Sequence, residues 1–270
     1  MLPQFNEDML KLLADVHISM PWRFLPQYLE MILHYRMNLE IGFDANQLDA
    51  VPRTEMNAVA SKLQKRGCRI TLHGPFWDLS PGSVDSLIRK ISKLRLDQFM
   101  RIFEIFRPIQ VVCHTGYDPR HHGGHRQIWL DHSMGTWEDL VRQAEKLGIP
   151  LLLENVWEHD PLLHQEIFRR IPSACFGFCL DVGHQNCFSK TSLDQWIEAL
   201  SDFLMEMHLH DNDGTRDAHL PIGQGNIDFV TLFRVLEKAG KKPLLTLEPH
   251  RKEHLVETLA GLTQVLGKNR

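Results

Sequence analysis

The sequence lacks a long apolar run and a strong excess of either charge. No stretch approaches the roughly 20 apolar residues that a transmembrane helix needs. The N-terminal stretch MLPQFNEDML has no cationic start followed by an apolar run, so no signal peptide is predicted. The formal net charge of -4, from 30 basic and 34 acidic residues, gives no global case for a polyanionic partner. These absences disfavour a membrane and a nucleic acid as partners and favour a small-molecule ligand.

The cysteines do not form an evident disulfide framework. There are 5 of them, an odd number, and most lie inside apolar runs. This pattern favours reduced core thiols, and we therefore expect a cytoplasmic protein. Histidine, by contrast, is abundant, with 16 residues.

Short β-rich runs alternate with amphipathic segments along the chain. Strands are predicted at 14–19, 39–44, 68–73, 109–114, 150–155, 176–181, 204–210 and 243–248. Helical spacing of apolar residues begins at Val84, Leu87, Ile88 and Ile91, continues to Phe106, and recurs between Leu255 and Leu266. Ser83 and the pair Thr191-Ser192 are typical helix start signals.

Eight strand–helix units follow one another without a linker, a repeat or a shift in composition. Eight such units in about 250 residues is the expected size of a (β/α)8 barrel. We therefore predict an α/β fold with a single TIM-barrel domain over residues 1–270. An open, doubly wound sheet has a similar strand count and is the alternative.

The residues that end the predicted strands favour the barrel. Six successive strands end in metal-binding types of side chain: His73, His114, Glu154, Asp181 with His184, His208 with His210, and Glu248. In a barrel the C-terminal ends of the strands meet around one site. In an open sheet the same side chains would be spread out by about 4.8 Å per strand. The barrel explains the pattern, and the open sheet leaves it as a coincidence.

Strand parity predicts that Glu154 and Glu248 point into the barrel. Glu154 shares a strand face with Leu152, Glu248 shares one with Thr246, and the opposite faces are apolar. A carboxylate inside a barrel is costly unless it is paired, hydrogen-bonded or bound to a metal. Imidazole and carboxylate ligands together suit a divalent ion such as Zn, Mn, Co or Fe.

Six stretches carry a resemblance to a known family. They are HGPFWDLSPGS (73–83), HTGYDP (114–119), LLLENV (151–156), LDVGH (180–184), HLHDNDGTRDAHLPIGQGNIDF (208–229) and LEPH (247–250). Together they resemble the xylose isomerase-like TIM-barrel superfamily, which contains sugar isomerases and epimerases as well as apurinic-site endonucleases of the endonuclease IV type.

The resemblance to the isomerases and epimerases implies a single ion held by Glu154, Asp181, His208 and Glu248, with His210 as the alternative to His208. It also implies that the two glutamates act as acid and base through an enediolate, and that His184 binds substrate. Among the aromatic residues near the site, Trp157 is the best candidate for ligand contact. The substrate is then a small sugar, sugar phosphate or polyol, and a homo-oligomer is left open.

The resemblance to the endonucleases implies a fuller, multinuclear zinc site. It would add His73, His114, His184, Asp217 and His219 to the ligand set. The function would then be hydrolysis of a phosphodiester, although the acidic charge balance opposes binding to a duplex. The isomerase or epimerase is our first hypothesis and the phosphodiesterase is the alternative. A barrel that binds a metabolite without turnover is a third.

Overall fold

The computed structural model describes residues 3–268, and its eight parallel strands close into a barrel in the order β1 to β8. The strands are β1 His17–Pro21, β2 Asn38–Gly42, β3 Ile70–His73, β4 Val111–His114, β5 Leu151–Glu154, β6 Phe176–Asp181, β7 Leu204–Leu209 and β8 Leu244–Leu247. The barrel closes between β1 and β8, where His17 pairs with Thr246 and Ile18 with Leu247. The predicted TIM barrel is confirmed and the open sheet is excluded.

The helices lie outside the strands and in the loops above them. In chain order they are α1 Glu7–Asp15, α2 Leu25–Tyr35, α3 Ala45–Ala50, α4 Arg53–Lys65, α5 Ser86–Met100, α6 Phe103–Phe106, α7 Pro119–His122, α8 Arg126–Leu147, α9 Leu162–Arg170, α10 Val182–Phe188, α11 Leu193–Leu200, α12 Phe229–Lys238 and α13 Lys252–Lys268. Two short 3-10 helices cover Trp22–Phe24 and Gly123–His125. None of the helices within residues 3–268 is long and apolar enough to cross a membrane.

All eight predicted strands are present, with differences at their ends. The first begins at His17 rather than at residue 14, because residues 14 and 15 complete helix α1. The predicted start of α11 is confirmed, since the Ser192 side chain accepts a hydrogen bond from the backbone of Gln195 in a capping box. Ser83 is not the cap of α5, because the side chain of Asp85 accepts the hydrogen bond from Leu87 N.

The apolar spacing from Val84 to Phe106 does not form one helix with one buried face. The second half is buried, but Val84, Leu87, Ile88 and Ile91 are 66%, 65%, 44% and 55% exposed. Lys90 is exposed on the same helix, whereas Lys93 pairs with Asp97 and Asp139. Basic and aliphatic side chains therefore share the solvent-facing side of this helix.

The interior of the barrel is polar on one side and apolar on the other. Val112, Leu152 and Cys179, from β4 to β6, form a small apolar cluster. The opposite strands contribute buried polar side chains, including His17, Glu40, Thr71, Glu206, His208 and Thr246. Most of the remaining core lies between the outer faces of the strands and the helices. Polar groups therefore extend down the β1–β2–β7–β8 side of the barrel below its C-terminal mouth.

Candidate metal centre

The C-terminal ends of β3 to β8 bring the predicted histidines and carboxylates together at one mouth of the barrel. Glu154 ends β5 and Asp181 ends β6, and β4–β5 and β6–β7 pairing places His114 beside Glu154 and His208 beside Asp181. Asp181 also caps α10, because its side chain accepts a hydrogen bond of 2.6 Å from His184 N. This cap explains how a residue three positions after the strand returns to the mouth.

His208 lies at the centre of a set of carboxylates. Its Nδ1 is 3.5 Å from Glu154 Oε1, 3.4 Å from Glu248 Oε1 and 3.9 Å from Asp181 Oδ2. These distances exceed the usual 2.7–3.2 Å of a hydrogen bond. Two ligand atoms on a tetrahedral zinc ion at its usual bond lengths are about 3.3 Å apart. The spacing is therefore that of ligands around an ion, and the four residues fit a divalent metal.

Unpartnered polar atoms at the mouth agree with this fit. His208 Nδ1, His210 Nδ1 and Asp217 Oδ1 are buried and have no hydrogen-bond partner among residues 3–268. A buried polar atom without a partner costs free energy unless something else satisfies it. Metal ions would satisfy all three, since each atom has a lone pair that faces other ligand types.

The second oxygen of Glu154 faces a different pair of histidines. Glu154 Oε2 is 3.0 Å from His73 Nε2 and 3.1 Å from His114 Nε2. The side chain of Glu154 is 2% exposed. The carboxylate therefore stands between two ligand sets, one on β3 and β4 and one on β6 to β8, which is the position of a bridging ligand.

The charges in this cluster stabilise one another. Burial alone would raise the pKa of Glu154, but the neighbouring His114, His208 and His184 outweigh it and hold that pKa well below its usual range. Burial lowers the pKa of His73, and the Glu154 carboxylate reverses the effect and raises it to about 9. For His114, burial prevails over Glu154 and its pKa is lowered. Glu154 is therefore ionised at neutral pH, as a metal ligand must be.

A third ligand set surrounds Asp217 in the loop after β7. Asp217 Oδ2 is 3.0 Å from His219 Nε2 and 3.4 Å from His184 Nε2, and its Oδ1 is 3.6 Å from His210 Nδ1. His184 Nδ1 also lies 3.1 Å from Glu154 Oε1, so the set around Asp217 adjoins the set around His208. The structure thus brings all of the ligand candidates from the sequence to one mouth.

His208 and His210 occupy different places. His208 contacts Glu154, Asp181 and Glu248 through one nitrogen, as described above. His210 Nε2 lies 3.1 Å from Asp181 Oδ1, and its other nitrogen faces Asp217. His210 therefore contacts both Asp181 and Asp217, and its Nε2 also lies 4.0 Å from Glu248 Oε2, so both histidines stay candidate ligands.

Gly183 is needed for a reason other than a turn. Gly183 is not among the residues with positive φ, so no left-handed backbone requires a glycine here. A Cβ at Gly183 would instead collide with the imidazole ring of His210. The glycine therefore makes room for the ring that lies over it.

Three imidazole rings are stacked at the edge of the mouth. The ring centroids of His210 and His219 are 3.7 Å apart, and those of His219 and His250 are 3.5 Å apart. His219 adopts a left-handed backbone with φ of 44°, a region that histidine visits more often than most residues. This conformation places its ring between the other two. His250 ends the LEPH stretch of the sequence but was not predicted as a site residue.

The loop that carries Asp217 is held by Asp211, the aspartate of the HLHD stretch. Its carboxylate accepts hydrogen bonds from the backbone of Gly223, Gly225 and Ile227 at 2.9, 3.0 and 3.2 Å. Asp211 therefore organises the loop without joining the ligand sets. A Cβ at Gly225 would collide with this same carboxylate and with the backbone of Asn212.

Two buried carboxylates below the mouth were not predicted. Glu40 Oε1 lies 3.2 Å from His208 Nε2, on the side of the ring away from the ligand set. This contact is a close ion pair rather than a hydrogen bond, since neither oxygen of Glu40 and neither nitrogen of His208 has a hydrogen-bond partner within residues 3–268. Glu206 accepts hydrogen bonds from Gln110 at 2.7 Å and from Thr246 at 2.5 Å. Glu40 sits at an inward position of the stretch LEIGFD, and its charge inside an apolar run was the available signal.

Aromatic side chains form the rim, and a further carboxylate, that of Glu158, is buried and accepts hydrogen bonds from Thr115 and from the backbone of Val156. Phe76 stacks on His114 with centroids 4.4 Å apart. Trp157, the predicted ligand contact, has Phe188 at 4.3 Å and the Arg120 guanidinium over its ring at 4.2 Å. These side chains already pack against its indole. Burial raises the pKa of Glu158 to about 7, and no pattern in the sequence pointed to this residue.

Comparison with known proteins agrees with the fold. Residues 38–265 match the family model described as a xylose isomerase-like TIM barrel. MJ1311 of Methanocaldococcus jannaschii is 31% identical over 189 residues, which are 66% of this chain and 64% of that protein, just under two thirds of its length. MJ1614 of the same organism is 26% identical over 210 residues, covering 75% of this chain and 80% of the relative.

Several solved structures have the same architecture. A D-tagatose 3-epimerase-like protein superposes with a TM-score of 0.82 at 24% identity, covering 94% of this chain and 98% of that one. The TTHB071 protein of Thermus thermophilus, from a crystal soaked with ZnCl2, has a TM-score of 0.75 at 23% identity and covers 95% and 99%. The 3-keto-D-glucoside 4-epimerase of E. coli has a TM-score of 0.72 at 14% identity and covers 94% and 99%. At these identities the likeness concerns the fold. The family model spans most of the chain, which therefore belongs to the xylose isomerase-like TIM-barrel family.

Proposed function

We propose that this protein is a metal-dependent isomerase or epimerase that acts on a small sugar, sugar phosphate or polyol derivative. The observation that carries the proposal is the position of His208 Nδ1 between Glu154 Oε1, at 3.5 Å, and Glu248 Oε1, at 3.4 Å. With Asp181 they form one ligand set in which two carboxylates flank the same point. The names of structural neighbours, which include D-psicose 3-epimerase and L-ribulose 3-epimerase, support this class of reaction.

In this proposal the residues of the site have separate roles. A bound divalent ion such as Zn, Mn, Co or Fe would polarise the carbonyl of the substrate and orient its oxygens. Glu248 is the better placed of the two glutamates to meet a substrate, because its side chain is 12% exposed and that of Glu154 is 2% exposed. Glu248 therefore removes the proton beside the carbonyl.

Glu154 is the second acid–base group in this proposal. His73 and His114 lie against its outer oxygen; because Glu154 is ionised, the proton that it returns to the carbon is supplied through His73 Nε2, which lies 3.0 Å from Glu154 Oε2 and belongs to an imidazole whose pKa is raised to about 9. His184, buried beside Glu154 and Asp217, faces the same space and would bind a substrate hydroxyl. His210 and Trp157 remain proposals as substrate contacts, with the ring of Trp157 already covered by Arg120 and Phe188.

The direct test is proton exchange at the carbon beside the carbonyl. The purified, metal-loaded protein is incubated with candidate ketoses and their phosphates in deuterated water, and deuterium in the recovered sugar is measured by mass spectrometry. We expect incorporation that is lost in Glu248→Gln, which keeps the size of the side chain. Normal exchange in that variant would overturn the assignment of Glu248.

A second candidate function is hydrolysis of a phosphodiester at a multinuclear metal site. It is favoured by the position of Glu154, whose two oxygens face different ligand sets, and by the additional set around Asp217 and His219. Such an arrangement would allow several ions to activate water and hold a phosphate. An abasic-site duplex tested in parallel with the ketoses separates the two functions, and full metal loading without cleavage would eliminate the hydrolase.

A further inference from the structure

A cavity outside the barrel lies next to the metal centre but does not belong to it. Its volume is about 420 Å³, and it is bounded by strand β1, helix α2 and the segment that follows β8. Ile18 and Met20 of β1 line it, and they alternate with His17 and therefore face the opposite side of the strand from the barrel interior. None of the ligand residues described above lines the cavity.

The walls are apolar and adaptable. They include Met20, Met31 and Met37 together with Ile32 and Leu255, and thioether side chains adapt to irregular ligands and pack well against aromatic rings. A cavity of about 150 Å³ accommodates one benzene ring. The space here is sufficient for a molecule of two or three rings, and Ser19, Gln27 and Tyr28 add polar groups to a mostly apolar wall.

Among the exposed side chains that line the opening, Phe24 is apolar, Gln27 is polar, and Arg251, Lys252 and Glu253 are charged. Arg251 and Lys252 form no ion pair with any residue from 3 to 268, and one carboxylate, Glu253, lies beside them. The opening therefore carries an excess of positive charge next to an apolar interior.

We propose that this cavity binds a small amphipathic anion, with its aromatic or branched aliphatic body against Met20, Met31 and Ile32 and its carboxylate, sulfonate or phosphate group at Arg251 and Lys252. This binding site is independent of the proposed catalytic function. Its occupant would contact His250, whose ring stacks on His219 at the edge of the metal centre.

The test uses 8-anilinonaphthalene-1-sulfonate, whose fluorescence rises when it enters an apolar site. We expect saturable binding of one molecule per chain to the full-length protein, weakened at least tenfold by Met31→Trp, which fills the cavity. The double variant Arg251→Glu/Lys252→Glu changes only exposed side chains and should weaken binding by a similar factor. We also expect 2-naphthoate to displace the probe at a concentration at least tenfold lower than the neutral 2-naphthol.

The matched control is the exposed aliphatic strip of α5. The double variant Leu87→Ser/Ile91→Ser removes apolar surface elsewhere on the molecule and should leave probe binding unchanged. Loss of binding in this control, unsaturable binding to the parent protein, or equal affinity in a folded Met31→Trp would overturn the proposal. Met31→Trp could not serve as a test if it did not fold. The proposal would then be overturned by unchanged probe binding in Arg251→Glu/Lys252→Glu, or by displacement of the probe at equal concentrations of 2-naphthoate and 2-naphthol.

Discussion

The contact between Glu40 and His208 predicts how the barrel interior controls the affinity for metal. His208 Nδ1 faces the ligand set, and His208 Nε2 is 3.2 Å from Glu40 Oε1. A carboxylate on the far nitrogen of a metal-binding histidine fixes the orientation of the ring and makes it a better ligand. Removing such a partner typically costs 10-fold to 100-fold in metal affinity, about 1.4–2.8 kcal/mol. We therefore expect Glu40→Gln to bind zinc 10-fold to 100-fold more weakly.

The matched control is Glu206→Gln. Glu206 is also fully buried inside the barrel, but it is hydrogen-bonded to Gln110 and Thr246 and forms no ion pair with His208. Burial raises its pKa to about 8, so it is largely protonated at pH 7, and the substitution replaces one neutral group by another. Zinc affinity in this variant should stay within about twofold of the parent value.

Both variants are measured by competition with a chromophoric chelator at pH 7, after circular dichroism has verified that they fold. The reasoning is refuted if Glu40→Gln binds zinc as tightly as the parent protein. It is equally refuted if Glu206→Gln loses as much affinity as Glu40→Gln, since the effect would then come from any change inside the barrel.

Three other perturbations address the general base, the metal and a buried histidine. Glu248→Gln should slow deuterium exchange into substrate by at least about 100-fold, the range expected for loss of a general base, with an unchanged circular dichroism spectrum. Removing the metal with a chelator should lower the Tm. An ion present at 100 times its Kd contributes about 2.7 kcal/mol to the stability of the folded protein, or roughly 5–10 °C in Tm for a chain of this size. An unchanged Tm would contradict the binding of a metal ion at the mouth of the barrel. Burial lowers the pKa of His164 from 6.5 to about 4. The unfolded chain therefore binds a proton that the folded protein does not, and the free energy of unfolding, unaffected above pH 6.5, falls by about 3 kcal/mol as the pH drops towards 4. In urea unfolding, His164→Phe should lose less stability over that interval than the parent protein, and equal losses in both would contradict the assignment of this pH dependence to His164.

The sequence was sufficient to predict the barrel because the polar residues that end its strands have no other common explanation. Glu154, Asp181, His208 and Glu248 end successive strands, and only a closed sheet brings such positions to one point. The pattern did not predict how the side chains connect. His208 faces the carboxylates, and His210 lies between Asp181 and Asp217. These positions depend on side-chain rotamers and on the space left by Gly183.

Other features depended on tertiary packing that local spacing does not encode. The aliphatic residues from Val84 to Ile91 have the spacing of a buried helix face, yet they point to solvent, because α5 packs through Ser92, Leu96 and Phe99. The roles of Glu40 and His250 depend on contacts made through the barrel interior and between two loops. Glu40 and His208 are more than 150 positions apart, and His219 and His250 are about 30 positions apart, so no periodic pattern in the sequence connects either pair.

Deuterium wash-in to a ketose by the metal-loaded protein tests the central claim most directly. We predict that deuterium from the solvent enters the carbon beside the carbonyl, and that the Glu248→Gln protein, loaded with the same ion, incorporates it at least about 100-fold more slowly. A parent protein that is fully loaded with metal, incorporates no deuterium into any of the candidate ketoses and cleaves an abasic-site duplex would contradict the account.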